Sequence, residues 1–81
     1  MKLYAFNGRR KLCGIQVKRR REELGISQEQ LAARLQLLGL EISQKVVSRI
    51  ETGLRVVPDY EVRFLAQALD TTVLWLLNAA L

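Results

Sequence analysis

The apolar positions of the chain fall into stretches with helical spacing, separated by glycine and proline. Gly14 to Leu24 reads as a first helix. Val17, Arg21 and Leu24 follow the i, i+4, i+7 spacing of one face, and Gly14 reads as punctuation at its start. Gly25 supplies the C-terminal stop. Ser27 then reads as an N-cap, and Gln30, three residues on, completes a capping box. The second helix should run from Gln28 to about Leu37, with Leu31, Ala32, Leu35 and Leu38 on one face. Leu38-Gly39-Leu40-Glu41-Ile42 is the connection to a third helix over about 43–51. Ser43 caps that helix, Val46, Val47 and Ile50 form its buried side, and Gly53 ends it. Pro58-Asp59 opens a fourth helix with Val62, Leu65, Ala66 and Leu69 inward. Asp70-Thr71-Thr72 breaks the pattern. Val73, Leu76 and Leu77, with Trp75 beside them, then make a short fifth helix. Strand signals are poor: Val56-Val57 is too short, and Leu3 to Phe6 is at best a short arm. The expectation is an all-α, compact five-helix bundle with no sheet.

Length limits what such a bundle can enclose. A chain of 81 residues buries roughly 60–65% of the surface its unfolded form exposes. That leaves about 4–12 kcal/mol of net stability and no room for a deep interior substrate pocket. The pattern divides the chain into a basic N-terminal arm, residues 1–13, and one folded domain, residues 14–81. Apolar residues make up 49% and mean hydropathy is +0.04, which suits folding rather than disorder. The chain has no histidine and one cysteine, Cys13. This excludes most zinc sites and most nucleophile–base pairs, so no metal, no cofactor and no enzyme activity are expected. Ser27, Ser43 and Ser48 have no histidine partner and sit where caps or a groove-facing residue belong. Cys13 reads as a small apolar filler, since a redox role would need a depressed thiol pKa.

One cysteine makes no internal disulfide, so nothing argues for secretion. The N-terminal residues meet Arg9 too soon for a signal-peptide apolar stretch. Thr71 to Leu81 is apolar at eight of eleven positions, well short of the roughly 20 residues a span needs. A cytoplasmic protein with no membrane partner is expected.

Charge separates along the chain. Residues 1–21 hold eight positive residues and no acid, whereas residues 22–81 carry a net charge of −3. Such a basic third suits phosphate, although a run like Lys18 to Arg21 also fits a solvated helix face. Arg9, Arg10 and Lys11 suit phosphates or a minor groove, or equally a disordered solubilising tail.

The second and third helices begin alike, with Ser27-Gln28 and Ser43-Gln44. Free amides and the positive dipole end attract phosphate at such a start. On the third helix, Val47 and Ile50 turn inward and leave Gln44, Lys45, Ser48 and Arg49 outward. Glutamine matches adenine, and lysine or arginine matches guanine, at base edges in a major groove. An ordinary solvated surface has the same composition, and these four residues alone leave both readings open.

Four segments taken in order separate the two. These are Arg21, then Gly25-Ile26-Ser27-Gln28-Glu29-Gln30-Leu31-Ala32, then Ser48-Arg49-Ile50-Glu51-Thr52-Gly53, then Leu65-Ala66-Gln67-Ala68-Leu69. With them the chain resembles the lambda-repressor/Cro-type helix-turn-helix family, also called the xenobiotic-response-element family, over about four-fifths of its length. The resemblance implies a compact bundle of five helices and binding to double-stranded DNA. It makes the helix at Ser43 the recognition helix, in the major groove, and the helix at Ser27 the one crossing the backbone. It places base contacts at Gln44, Lys45 and Arg49, with Ser48 a weaker one, and phosphate contacts at Gln28, Thr52 and Arg55. It also implies a structural ion pair between Arg21 and Glu51. Three departures stand out. The connection Gln36 to Glu41 is several residues longer than the family's short turn, which implies a lengthened second helix. Arg20 occupies a place usually apolar, and Asp70 replaces a usual glycine.

Not all of Val73 to Leu77 can face so small a core, and core packing accounts for Val73, Leu76 and Leu77. Leu74, Trp75 and Leu81 suit a dimer patch, while Trp75 as a core residue suits a monomer. The resulting expectation is a sequence-specific transcriptional regulator, acting as a homodimer, of bacterial or phage type and nucleoid-associated when bound. RNA polymerase or a toxin protein is a possible further partner. An antitoxin of a toxin–antitoxin pair, and a protein-interaction module on the same fold, are the alternatives.

Overall fold

The structure is a computed structural model that describes residues 5–6, 9–10 and 12–77. Five helices follow one another: α1 Leu12–Glu23, α2 Gln28–Leu37, α3 Gln44–Glu51, α4 Asp59–Ala68 and α5 Val73–Leu77. A minimal hairpin precedes them. Its strands β1, Ala5–Phe6, and β2, Arg9–Arg10, pair antiparallel with Ala5 opposite Arg10 and Phe6 opposite Arg9. The bundle is all-α as expected, but the absence of any sheet is corrected by this pair. The sequence between the strands is Asn7-Gly8, and Asn-Gly is the strongest short-range hairpin signal.

The helix ends follow from the sequence at each junction. Ser27 accepts from the Gln30 amide while Gln30 Oε1 accepts from the Ser27 amide, closing a capping box. Ser43 caps α3 by accepting from the Val46 amide. Each of the first four helices closes with the same pair of bonds. For α1 the Gly25 amide donates to Glu22 and the Ile26 amide to Arg21. This closure needs a left-handed residue. Glycine supplies it three times, but after α4 Asp70 does so, at φ +53°.

Packing places α1 against α3 and α5, α2 against α3 and α4, and α4 against α5. Val17, Leu31, Leu35, Val47, Ile50, Leu65, Leu69 and Leu76 meet in the middle with no accessible surface to speak of. Each such aliphatic side chain contributes roughly 1.5–3 kcal/mol of burial. The long connection between α2 and α3 is tied down rather than slack. Ile42 is buried in the core, Leu40 packs against it, and Gln36 Nε2 donates to the Ile42 carbonyl at 3.1 Å. The extra residues thus brace the entry to α3. The second helix takes up the first two of them, Gln36 and Leu37, before it ends.

Three expectations about faces change. Gly14 is not punctuation: α1 begins at Leu12, and Gly14 lies inside it, where a Cβ would stand 2.0 Å from the Ile50 carbonyl oxygen. Leu77 is exposed, because Leu76 fills the core slot and the larger Trp75 takes the flank beside it. Val46 is half-buried at the edge of α3 rather than fully inward.

Two polar ties that periodicity did not reveal hold the bundle's far side. Gln16, buried on α1, donates to the Trp75 carbonyl at 3.0 Å and anchors α5. Arg20 explains its unusual place: its Nε donates to the Leu69 carbonyl at 2.9 Å and its Nη2 to the Asp70 carbonyl at 3.2 Å. Arg34 adds a bond to the Ala68 carbonyl at 3.0 Å. Two arginines from α1 and α2 thus grip the C-terminus of α4, where the helix dipole favours cations. Cys13 is buried in the core, and that burial pushes its thiol up to about 11. This is the opposite of the depressed value a redox thiol would need.

Candidate nucleic-acid interface

The core decides which side of α3 is free. Val47 and Ile50 are buried, so the opposite face must be solvent-facing. Gln44, Lys45 and Arg49 are exposed on it, and Ser48 is half-buried. The Lys45 and Arg49 side chains meet no hydrogen-bond or ion-pair partner among the described residues. The one acid on α3, Glu51, points the other way and is buried. Free charge on the outer face of α3 is therefore positive only.

Glu51 belongs to a network that joins three helices. Arg21 meets it with a two-pronged contact, Nε to Oε2 at 2.7 Å and Nη2 to Oε1 at 3.1 Å. Arg21 Nη1 also donates to the Ile26 carbonyl at 2.9 Å. The side chains are 12% and 2% exposed, so the pair is largely desolvated. Hydrogen bonding to Glu51 raises the Arg21 pKa against its own desolvation, which keeps the guanidinium charged. Gln28, second in the chain of contacts, donates from Nε2 to Glu51 Oε1 at 2.9 Å. Its Oε1 in turn accepts from Gln44 Nε2 at 2.7 Å. The first residues of α2 and α3 are thereby held together, and the Gln44 amide is left with its Oε1 and one N–H free. One acceptor beside one donor is the pattern that pairs with adenine.

The remaining predicted sites lie beyond α3 or on other helices. Thr52 caps the end of α3 and its hydroxyl donates to the Ser48 carbonyl at 2.9 Å. Arg55 is half-buried and forks onto Glu61 in the first turn of α4. That partner was invisible from sequence, since nothing in the spacing of Arg55 and Glu61 marks a contact across a loop. Of the basic run in α1, Arg20 and Arg21 are spent on internal contacts, while Lys18 and Arg19 are exposed. On α5, Leu74 is 69% exposed and Trp75 is half-buried against the core, whereas Leu81 lies outside the described residues.

A five-helix bundle in which α2 and α3 are tied together through Gln28, Gln44 and a braced connection, with an outward basic face on α3, defines a helix-turn-helix DNA-binding domain. The family model for the helix-turn-helix matches residues 17–76, and the chain belongs to that family, of lambda-repressor/Cro type. It is a DNA-binding regulator in the general sense that the family defines. Among curated proteins none matches the chain. No helix among the described residues is long and apolar enough to cross a membrane.

Proposed function

We propose that the chain reads a specific duplex sequence with α3 in the major groove, and regulates transcription as a homodimer. The observation that carries this reading is the outer face of α3. Lys45 and Arg49 stand there with unspent donors, and the Gln44 amide is already oriented by Gln28. Side chains held before binding lose less entropy on contact. Gln44, Lys45 and Arg49 read bases, with Ser48 at the margin. Gln28, Thr52 and Arg55 flank them as contacts to phosphate. The exposed Leu74 beside half-buried Trp75 supports a second copy docking near α5.

Selection from a randomised duplex library at about 150 mM salt tests the sequence reading and the dimer together. The expected product is a palindrome whose half-sites lie about 10 base pairs apart. A single enriched half-site would remove the dimer and keep the reader. No enrichment at all would overturn the proposal.

A further inference from the structure

Arg55 lies in the segment that joins α3 to α4. Its Nη1 and Nη2 donate to Oε1 and Oε2 of Glu61, the latter at 2.9 Å, and Nη1 also reaches the Val56 carbonyl at 3.4 Å. The Glu61 side chain is only 4% exposed and that of Arg55 32%. Glu61 sits in the first turn of α4, where the dipole and free amides favour a carboxylate. The planar fork of arginine fits carboxylate and phosphate by the same two-pronged geometry. A phosphate would therefore compete with Glu61 for that fork. Taking it would strand a buried carboxylate, which costs far more than a solvent-exposed ionic contact returns.

We infer that Glu61 is a positioning residue that converts Arg55 from a charged phosphate contact into a fixed, electrically neutral one. The inference rests on the reading of α3 as the groove-facing helix. The pair stays closed when DNA arrives. Arg55 then offers a phosphate only its Nε–H and one Nη2–H, from a guanidinium whose charge Glu61 cancels. Lys45 and Arg49, with no carboxylate beside them among the described residues, supply the charge. Arg55 supplies register and holds the segment that follows α3.

Salt dependence separates the two roles, because each phosphate neutralised by a free cation contributes about −0.9 to the slope of log K against log salt. The assay is fluorescence anisotropy on a labelled duplex carrying the selected site, with circular dichroism melts to establish that each variant is folded. Lys45→Ala, which takes one free charge off the groove-facing side, should make the slope shallower, by at most about 0.9, and relax the preference for the selected site. The double variant Arg55→Gln/Glu61→Gln, whose two amides can bond each other, should leave the slope unchanged even where affinity falls. Glu61→Gln alone should steepen it by about 0.9, because Arg55 is then uncompensated. A slope shallower by about 0.9 in the double variant, with Lys45→Ala behaving as expected, overturns the role of Glu61 alone. Wild-type binding that ignores salt, or a Lys45→Ala variant that keeps both the slope and the sequence preference of wild type, overturns the DNA-facing reading of α3 and this inference with it.

Discussion

Gly14→Ala is a perturbation for which local propensity and tertiary packing predict opposite signs. In the interior of a helix, alanine is favoured over glycine by about 1 kcal/mol, so helix propensity alone predicts a more stable protein. The packing of α1 on α3 predicts otherwise. A Cβ at residue 14 would lie 2.0 Å from the Ile50 carbonyl oxygen, 3.1 Å from the Ile50 carbonyl carbon and 3.4 Å from the Glu51 Cα. All three are backbone atoms, so no side chain can rotate away. The helices must separate by at least 1.0 Å for the first contact to reach even 3.0 Å. Overpacking against rigid surroundings falls at the upper end of its range, about 3 kcal/mol. The net loss is then about 2 kcal/mol, which in a domain of this size lowers Tm by about 8–16 °C. The displaced turn also carries Glu51, so the Arg21 contact and the orientation of Gln28 should loosen with it. Thermal and urea melts of wild type and Gly14→Ala measure the difference. A variant as stable as wild type, or more so, would falsify the close approach of α1 to α3 and the register of the three-helix network built on it.

Two further outcomes follow from buried groups. Arg21→Ala leaves the Glu51 carboxylate buried, with Gln28 as its remaining partner, and should cost about 3–5 kcal/mol. Melts read the loss, and a change under about 1 kcal/mol would mean the pair is solvated rather than desolvated. The Cys13 thiol, raised from 9.0 to about 11 by burial, favours the folded state below pH 9, and that contribution is lost as pH climbs through 11. The stability difference between wild type and Cys13→Ala should therefore shrink by roughly 2 kcal/mol across that window. A difference that stays flat with pH would refute it.

Much of the molecule was legible in the chain itself, for a local reason. Capping serines, left-handed stops and helical spacing act within a few residues, so Ser27, Ser43, Gly25, Gly39 and Gly53 mark the helix ends wherever the chain is read. The outward position of Gln44, Lys45 and Arg49 follows equally from the burial of Val47 and Ile50 at fixed helical angles. The two-residue hairpin was local too, and its Asn7-Gly8 signal could have been read.

What the tertiary structure decided is the fate of charged and special residues whose partners lie far along the chain. A basic run looks uniform in sequence. Folding spends Arg20 on the end of α4 and Arg21 on Glu51, and leaves Lys18 and Arg19 in solvent. Arg55 and Arg49 look like equal cations, yet only Arg55 meets a buried carboxylate. Gly14 looks like punctuation before a helix and is a contact point between helices. Such pairings depend on how two helices cross, and a crossing is set by the whole core at once. Sequence determined which faces exist, and packing determined which charges on them remain free.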